Sequence, residues 1–141
     1  LKMNECPSLR ETLLRSRCHK GRLLYYFRPQ QRNVTEGKET VSSWCGWHTD
    51  HGCITGLTRG MFMKDGVESG CSGSSAGFYV RARSGEIVKV VFGEEEIAFQ
   101  VGEITEVLSR GRLCATPHCV NAPDGEAVER SVFALFMQPD W

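Results

Sequence analysis

The sequence has no excess of charge and no long hydrophobic run. Its 17 lysines and arginines balance 17 aspartates and glutamates, so the formal net charge is zero. A surface that binds nucleic acid or anionic lipid needs an excess of basic residues, so this balance argues against both partners. No apolar segment approaches the roughly 18 residues of a membrane-spanning helix, and residues 1–4 do not resemble the start of a signal peptide. We therefore expect a soluble protein whose partner is a small molecule, not nucleic acid or membrane.

The seven cysteines also lack the spacing of a disulfide framework or a zinc ribbon. Their number is odd and none belongs to a C-x-x-C pair, so we expect free thiols in a reducing, cytoplasmic compartment. With 40% hydrophobic residues in 141, the chain is large enough to bury a core of its own. The sequence therefore predicts a single domain over residues 1–141.

Short apolar runs separated by turn residues predict a mainly β protein. The expected strands are residues 23–27, 54–58, 61–63, 78–83, 87–92, 97–101, 112–120 and 130–137, with a further strand that carries His48 and Asp50. Helical spacing is limited to residues 8–20 and to one or two turns in residues 102–111, while residues 30–40 predict a loop. Short strands at regular spacing are typical of a sandwich or barrel, so we predict a jelly roll with a short N-terminal helix.

Two potential metal ligands, His48 and Asp50, are separated by one residue. In an extended strand, residues i and i+2 point to the same face, so the two side chains are predicted to lie side by side. His118 is the best third ligand if its strand pairs with or faces the first one, as a jelly roll allows. Two histidines and a carboxylate form the facial triad that binds Fe(II) with open coordination positions.

Other interpretations of these three residues stay open. Each histidine on its own is more simply a hydrogen-bonded core or surface side chain. The same ligand set also suits the zinc of a hydrolase, although the chain has no H-E-x-x-H motif and no obvious general base.

Arg130 begins an otherwise apolar predicted strand, where an arginine needs a specific role. One role is to bind the carboxylate of an anionic co-substrate, because the guanidinium group can form two parallel hydrogen bonds with it. The alternative is a cation at the rim of the sheet that pairs with Glu129.

Four segments of the chain, in order, resemble successive blocks of the Fe(II)/2-oxoglutarate-dependent oxygenases, in the isopenicillin N synthase-like branch with its plant-type members. These segments are HTDHGCIT at 48–55, GEITEVLSRG at 102–111, ATPHCV at 115–120 and ERS at 129–131. The resemblance implies a double-stranded β-helix, the cupin-like form of the jelly roll, and a 2-oxoglutarate-dependent dioxygenase as the activity.

The resemblance also implies roles for individual residues. His48, Asp50 and His118 would bind the iron, Arg130 would bind the distal carboxylate of 2-oxoglutarate, and Tyr26 would donate a hydrogen bond to that carboxylate. Together with dioxygen, this site would hydroxylate or otherwise oxidise a small organic substrate and release succinate and carbon dioxide.

The chain departs from the family pattern at three places. The family has Arg-x-Ser, whereas Val132 occupies the third position here and the hydroxyl of Ser131 would face the opposite side. Leu24 stands where the family has an asparagine. The resemblance also leads us to expect that this sequence lacks most of the N-terminal helical half of complete members. The displaced serine and the missing N-terminal half support an alternative function, a non-catalytic module that binds a metal or a small acid on the same fold.

Overall fold

The structure, a computed structural model, describes residues 7–29, 43–70, 75–124 and 127–140. Within these residues there are two short helices, α1 (Leu9–Arg15) and α2 (Glu103–Leu108), and ten strands. The strands are β1 (Lys20–Tyr26), β2 (Ser43–His48), β3 (Ile54–Thr58), β4 (Met61–Lys64), β5 (Val67–Glu68), β6 (Gly77–Arg81), β7 (Ile87–Lys89), β8 (Ile97–Val101), β9 (His118–Asn121) and β10 (Glu129–Met137). The mainly β prediction with a short helix near the N-terminus is confirmed. Neither helix is long and apolar enough to cross a membrane.

The strands form two antiparallel sheets of a jelly roll. The larger sheet has the order β5-β4-β10-β3-β8, with β1 paired to β10 as well, and the smaller sheet has the order β2-β9-β6-β7. The long strand β10 is central, because β1 pairs with it along its length while β4 and β3 pair with successive parts of it. Residues from both sheets line the space that holds the candidate site.

The pattern of burial in β10 follows the two-residue period of a strand. Arg130, Val132 and Ala134 are buried, whereas the alternate residues Phe133 and Leu135 are exposed. The exposed face of the larger sheet is also apolar elsewhere: the exposed fraction of Leu23 on β1 is 77%. One face of β10 therefore lines the interior, and the other carries exposed apolar side chains.

The first helix ends earlier than the sequence predicts. Ser8 caps it as expected, in a capping box with Glu11, but the helix ends at Arg15 and not at residue 20. Lys20 and Gly21 belong instead to β1, because they pair with β10 in the larger sheet. Pairing between distant segments thus overrides the local helical pattern here.

The strand predicted over residues 112–120 is also shorter in the structure, where β9 begins at His118. Polar side chains of α2 and its C-cap bind the backbone of the preceding segment. The N–H of Ala115 donates to a carboxylate oxygen of Glu106 at 2.6 Å, and the N–H of Leu113 donates to the Ser109 hydroxyl at 3.0 Å. These contacts take up backbone groups that a longer strand would need. The two-residue β5 was not predicted, and the predicted loop at 30–40 lies outside the described residues.

Candidate metal centre

The structure brings His48, Asp50 and His118 together. Their ligand atoms all lie within 4.8 Å of one another. Oδ1 of Asp50 is 4.0 Å from Nε2 of His48 and 3.8 Å from Nε2 of His118. The two histidines face each other on the paired strands β2 and β9, which is the neighbouring arrangement that the prediction required.

Both histidines are oriented by the same local contact. Nδ1 of His48 lies 2.8 Å from the carbonyl oxygen of Gly46, and Nδ1 of His118 lies 2.9 Å from the carbonyl oxygen of Thr116. Because a carbonyl only accepts, Nδ1 donates, and each Nε2 is the ring nitrogen that carries a lone pair and could bind a metal. Burial lowers the pKa of His118 and so favours the neutral imidazole, which is the ligand form.

One oxygen of Asp50 is held by two side chains that the sequence did not identify. Oδ2 accepts a hydrogen bond from the Thr55 hydroxyl at 2.5 Å and another from the Gln100 amide at 2.6 Å. Thr55 and Gln100 are paired on β3 and β8 and are 1% and 8% exposed. Because these contacts occupy Oδ2, they leave Oδ1 facing the histidines. The signal was present in the sequence, since each is a polar residue inside an apolar predicted strand.

Gln100 also reaches the second histidine. Its Nε2 lies 3.3 Å from Nε2 of His118. Its other amide atom, Oε1, is buried and has no hydrogen-bond partner among the described residues. A buried amide oxygen without a partner is costly, so an additional donor in the cavity would stabilise this side chain.

Asp50 lies beyond the end of β2, so the prediction that it shares a strand face with His48 is wrong. The chain turns instead, and backbone groups at the start of α2 hold the turn. The N–H of Glu103 donates to the carbonyl of Asp50 at 2.8 Å, and the N–H of Gly102 donates to the carbonyl of Cys53 at 2.9 Å. A Cβ at Gly102 would overlap the carbonyl oxygen of Gly52. Only a glycine allows this close approach.

The side chain of Glu103 reinforces the same turn. Its carboxylate accepts hydrogen bonds from the Thr49 hydroxyl and from the ring of His51, both at 2.5 Å. Two hydrogen bonds lower the pKa of Glu103, with the larger effect from Thr49 and the smaller from His51. The hydrogen bond to Glu103 in turn raises the pKa of His51. His51 thus stabilises the turn and is not part of the candidate ligand cluster.

The candidate metal centre opens into a cavity of about 780 Å³. Four pairs of facing residues on β1 and β10 form one wall. From one end to the other, these pairs are Tyr26–Arg130, Leu24–Val132, Arg22–Ala134 and Lys20–Phe136. The wall therefore begins with a cation and an aromatic ring, continues with an apolar pair, and ends with two further cations.

Arg130 is a buried cation that has no ionic partner in the part of the chain that the structure describes. It is 5% exposed, and among the described residues no carboxylate lies within 4.0 Å of it. Glu129, its candidate partner in the alternative prediction, pairs instead with Arg28 at 3.3 Å. Burial lowers the pKa of Arg130. An unpaired buried charge is costly, so this position suits an anionic ligand.

Two neighbours shape the surroundings of Arg130. Tyr26 is its cross-strand partner, and the guanidinium carbon lies 5.5 Å from the centre of the tyrosine ring. Burial raises the pKa of Tyr26, which keeps the phenol protonated and able to donate. A Cβ at Gly60 would overlap the guanidinium group of Arg130, so this glycine provides the space that the guanidinium occupies. The sequence did not single out Gly60.

The structure also places the residues at which the chain departs from the family pattern. Leu24 and Val132 face each other directly and both line the cavity. Ser131 lies on the other face of β10, opposite Tyr25 and Met61. The Arg130 end of the cavity therefore has an apolar pair where the resembled family has two polar side chains.

Comparisons with protein-family models and with curated proteins find no match. Solved structures do match. An oxygenase from Shewanella oneidensis has a TM-score of 0.66 and 23% identity, over 94% of this chain and 43% of that one. The dioxygenase for auxin oxidation 1 from Arabidopsis thaliana has a TM-score of 0.63 and 20% identity, over 86% of this chain and 38% of that one. A full-length Neurospora crassa protein in complex with 2-oxoglutarate has a TM-score of 0.60 and 23% identity, over 86% of this chain and 33% of that one.

This chain thus spans less than half the length of each of these structures. None of the three is an isopenicillin N synthase, so that branch stays a prediction. The likeness does extend over most of the present chain in every case. The chain therefore has the β-sandwich fold of the 2-oxoglutarate- and Fe(II)-dependent oxygenases.

Proposed function

We propose that the chain is the catalytic β-sandwich of an Fe(II)- and 2-oxoglutarate-dependent oxygenase that acts on a small organic molecule. The observation that carries this proposal is the content of one cavity: a cluster of two histidines and a carboxylate, and a buried arginine. Two of the similar structures, the Neurospora crassa protein and the auxin-oxidising dioxygenase, were determined with 2-oxoglutarate bound. A cytoplasmic, reducing location is part of the proposal, and the described cysteines support it because all of them are free thiols.

The residues present fit an Fe(II) ion. Both imidazoles donate from Nδ1 to a carbonyl, so each Nε2 keeps a lone pair that a metal could take. The lone pair of His118 accepts a 3.3 Å hydrogen bond from the Gln100 amide, which a bound metal would replace. Oδ1 of Asp50 faces the histidines while Oδ2 is hydrogen-bonded. We propose His48, Asp50 and His118 as the three ligands. Such a set leaves coordination positions for a co-substrate and for dioxygen.

Iron bound here would supply the oxygen chemistry in which 2-oxoglutarate is converted to succinate and carbon dioxide. The chain's own residues orient the co-substrate and exclude water. Arg130 binds the distal carboxylate through charge-assisted hydrogen bonds, and the protonated hydroxyl of Tyr26 donates to the same group. The apolar pair Leu24–Val132 keeps this end dry, which strengthens both contacts.

A second candidate function is a module that binds a metal or a small acid without turnover. The direct pairing of Leu24 with Val132 favours it, because Arg130 then has fewer polar neighbours with which to fix the co-substrate. The iron cluster would be the same in both cases. The two functions differ in whether oxygen is consumed.

Anaerobic addition of Fe(II) and 2-oxoglutarate tests both candidates. We expect a weak visible metal-to-ligand absorption band, and we expect succinate once oxygen is admitted, even without a primary substrate. A band without succinate supports the binding module. The absence of a band overturns the proposed oxygenase.

Single substitutions test the ligand assignment. His118→Ala and Asp50→Ala should each abolish Fe(II) binding, because two remaining ligands do not retain the ion. His19→Ala is the matched control, since this exposed histidine lies near α1 and is not among the residues that line the cavity. Retention of iron in both ligand variants would show that the assignment is wrong.

A further inference from the structure

We propose that Arg22 and Lys20 form a second anion-binding site in the cavity, which binds the acidic group of the primary substrate. The inference rests on the proposed function, because it names the class of molecule that the same cavity would oxidise. That class is a small organic acid, with a carboxylate or phosphate group on an apolar body.

Both cations line the cavity, and within the described ranges neither has an ionic partner. Arg22 and Lys20 lie on the same face of β1 as Leu24 and Tyr26, and both are solvent-exposed where they line the cavity. No carboxylate of the described residues lies within 4.0 Å of either side chain. The guanidinium carbon of Arg22 lies 5.1 Å from the centre of the Phe136 ring, which also lines the cavity. This cation–π contact holds the guanidinium over the cavity wall while leaving its N–H groups free.

The second site is separate from the one at Arg130. Arg22 faces Ala134, and Arg130 lies four residues earlier on the same strand. At about 3.4 Å per residue, Ala134 and Arg130 are about 14 Å apart along β10. The apolar pair Leu24–Val132 lies between them. The two cationic regions are therefore suited to two different acidic groups.

The second site is also close to the candidate metal centre. Lys20 pairs with Phe136, Phe136 pairs with Thr55, and Thr55 pairs with Gln100, so these four residues form one row across the larger sheet. Thr55 and Gln100 are the two side chains that bind Asp50. With strands about 4.8 Å apart, the backbone of Lys20 lies about 10 Å from that of Thr55. An acid held at this end would place its body beside the metal centre.

The cavity lining around the second anion site indicates the chemistry of the rest of the substrate. Apolar side chains line the cavity: Leu57 and Phe136 on the larger sheet, Phe78 on the smaller sheet, and Phe92 in the segment between β7 and β8. Phe78 packs against one candidate ligand, with its ring centre 5.5 Å from that of His118. Among the described lining residues, the one carboxylate outside the metal cluster is Glu103, which is already bound to Thr49 and His51. An aromatic or aliphatic body attached to an anionic group matches this lining.

Three probes of similar shape test the proposal by calorimetry under anaerobic conditions: phenylacetate, phenylacetamide and phenyl phosphate. Each is titrated into the protein loaded with Fe(II) and 2-oxoglutarate and, separately, into the metal-free protein. We expect at least one acid to bind with a Kd below about 1 mM and the neutral amide to bind at least about tenfold more weakly. The affinity of the acid should fall as salt is raised. Comparison of the two acids identifies the preferred anionic group.

The variants Arg22→Gln and Lys20→Gln should each weaken acid binding, by about tenfold for Arg22, which is the loss expected for one charge-assisted contact. Fe(II) and 2-oxoglutarate affinities should not change. Arg10→Gln and Lys64→Gln are the matched controls, because both cations are exposed and neither lines the cavity.

Several outcomes overturn the proposal. These are equal affinity for acid and amide, no acid binding below about 1 mM, or equal losses in the Arg22 and Arg10 variants. Loss of acid binding in Arg130→Met, with no loss in Arg22→Gln, would assign the acid to the first anion site instead. Titration of the metal-free protein keeps this test independent of the proposed oxygenase function, because acid binding at Arg22 does not require iron.

Discussion

At the metal end of the cavity, every candidate ligand has a second contact that fixes its orientation. At the Arg130 end, by contrast, no side chain of the described residues is hydrogen-bonded to the arginine. His48 and His118 are oriented by backbone carbonyls, and Asp50 by Thr55 and Gln100. Arg130 lies against the face of the Tyr26 ring. The difference suits what we propose each end to bind, because a metal needs ligand atoms at fixed positions, whereas an anion needs a desolvated positive charge.

The largest effect is expected at the glycine that closes the turn around Asp50. Gly102→Ala would place a Cβ on the carbonyl oxygen of Gly52, so the turn must move. We expect a loss of about 3 kcal/mol in the free energy of unfolding and a loss of Fe(II) affinity. Denaturant unfolding and metal titration measure the two effects.

The control for this prediction is Gly46→Ala, because a Cβ at Gly46 would have nothing within 4 Å. Similar destabilisation by both substitutions would show that the close approach at Gly102 is not what matters.

Arg130→Met should change stability and ligand affinity in different directions. Replacing an unpaired buried charge with an apolar side chain should leave the free energy of unfolding unchanged or raise it. The affinity for 2-oxoglutarate should fall by about 2–3 kcal/mol, the contribution expected of a buried charge-assisted contact. Thermal unfolding and calorimetry with 2-oxoglutarate measure both quantities. A lower Tm together with unchanged co-substrate affinity would contradict the assignment of Arg130 as an anion anchor.

Gln100→Leu tests how strongly the metal end depends on orientation. The substitution removes the amide donor to Oδ2 of Asp50 but keeps the size of the side chain. We expect Fe(II) affinity to fall by about 10- to 100-fold, as for other residues that orient metal ligands. The Tm should change little, because the substitution also removes the buried Oε1, which has no partner among the described residues. Fe(II) titration and thermal unfolding of the variant and parent protein check both expectations; unchanged affinity would mean that Thr55 alone orients Asp50.

The smallest expected effect is a gain in 2-oxoglutarate affinity at the Arg130 end of the cavity. Val132→Ser restores a hydroxyl beside Arg130 on the cavity wall, so we expect 2-oxoglutarate to bind more tightly by about 0.5–1 kcal/mol. Ser131→Val is the control, because that side chain lies on the opposite face of β10. Calorimetric titration of the two variants measures the difference. Weaker binding in Val132→Ser would indicate that the dry apolar pair matters more than an added hydrogen bond.

The sequence predicted the strands and candidate ligands that depend on local sequence patterns. Short apolar runs between turn residues located β3, β8 and β10, and the short spacing between His48 and Asp50 identified two residues of the candidate metal cluster. The route by which Asp50 reaches the site could not be predicted, because α2, more than 50 positions away in the chain, holds its turn. The sequence marked Gln100 only as a polar residue in an apolar predicted strand. Its role follows from its pairing with Thr55 across the sheet, and the sequence of either segment alone does not predict that pairing.

The buried guanidinium of Arg130 has a practical consequence for handling the protein. If Arg130 anchors an anion as we propose, we expect a small inorganic anion from the medium, such as chloride, sulfate or phosphate, to occupy this position when no organic acid is present, since the charge favours any anion that fits. Measured binding of 2-oxoglutarate then reports an exchange of one anion for another. Its apparent strength should depend on which buffer the protein was purified in, even at constant pH and ionic strength.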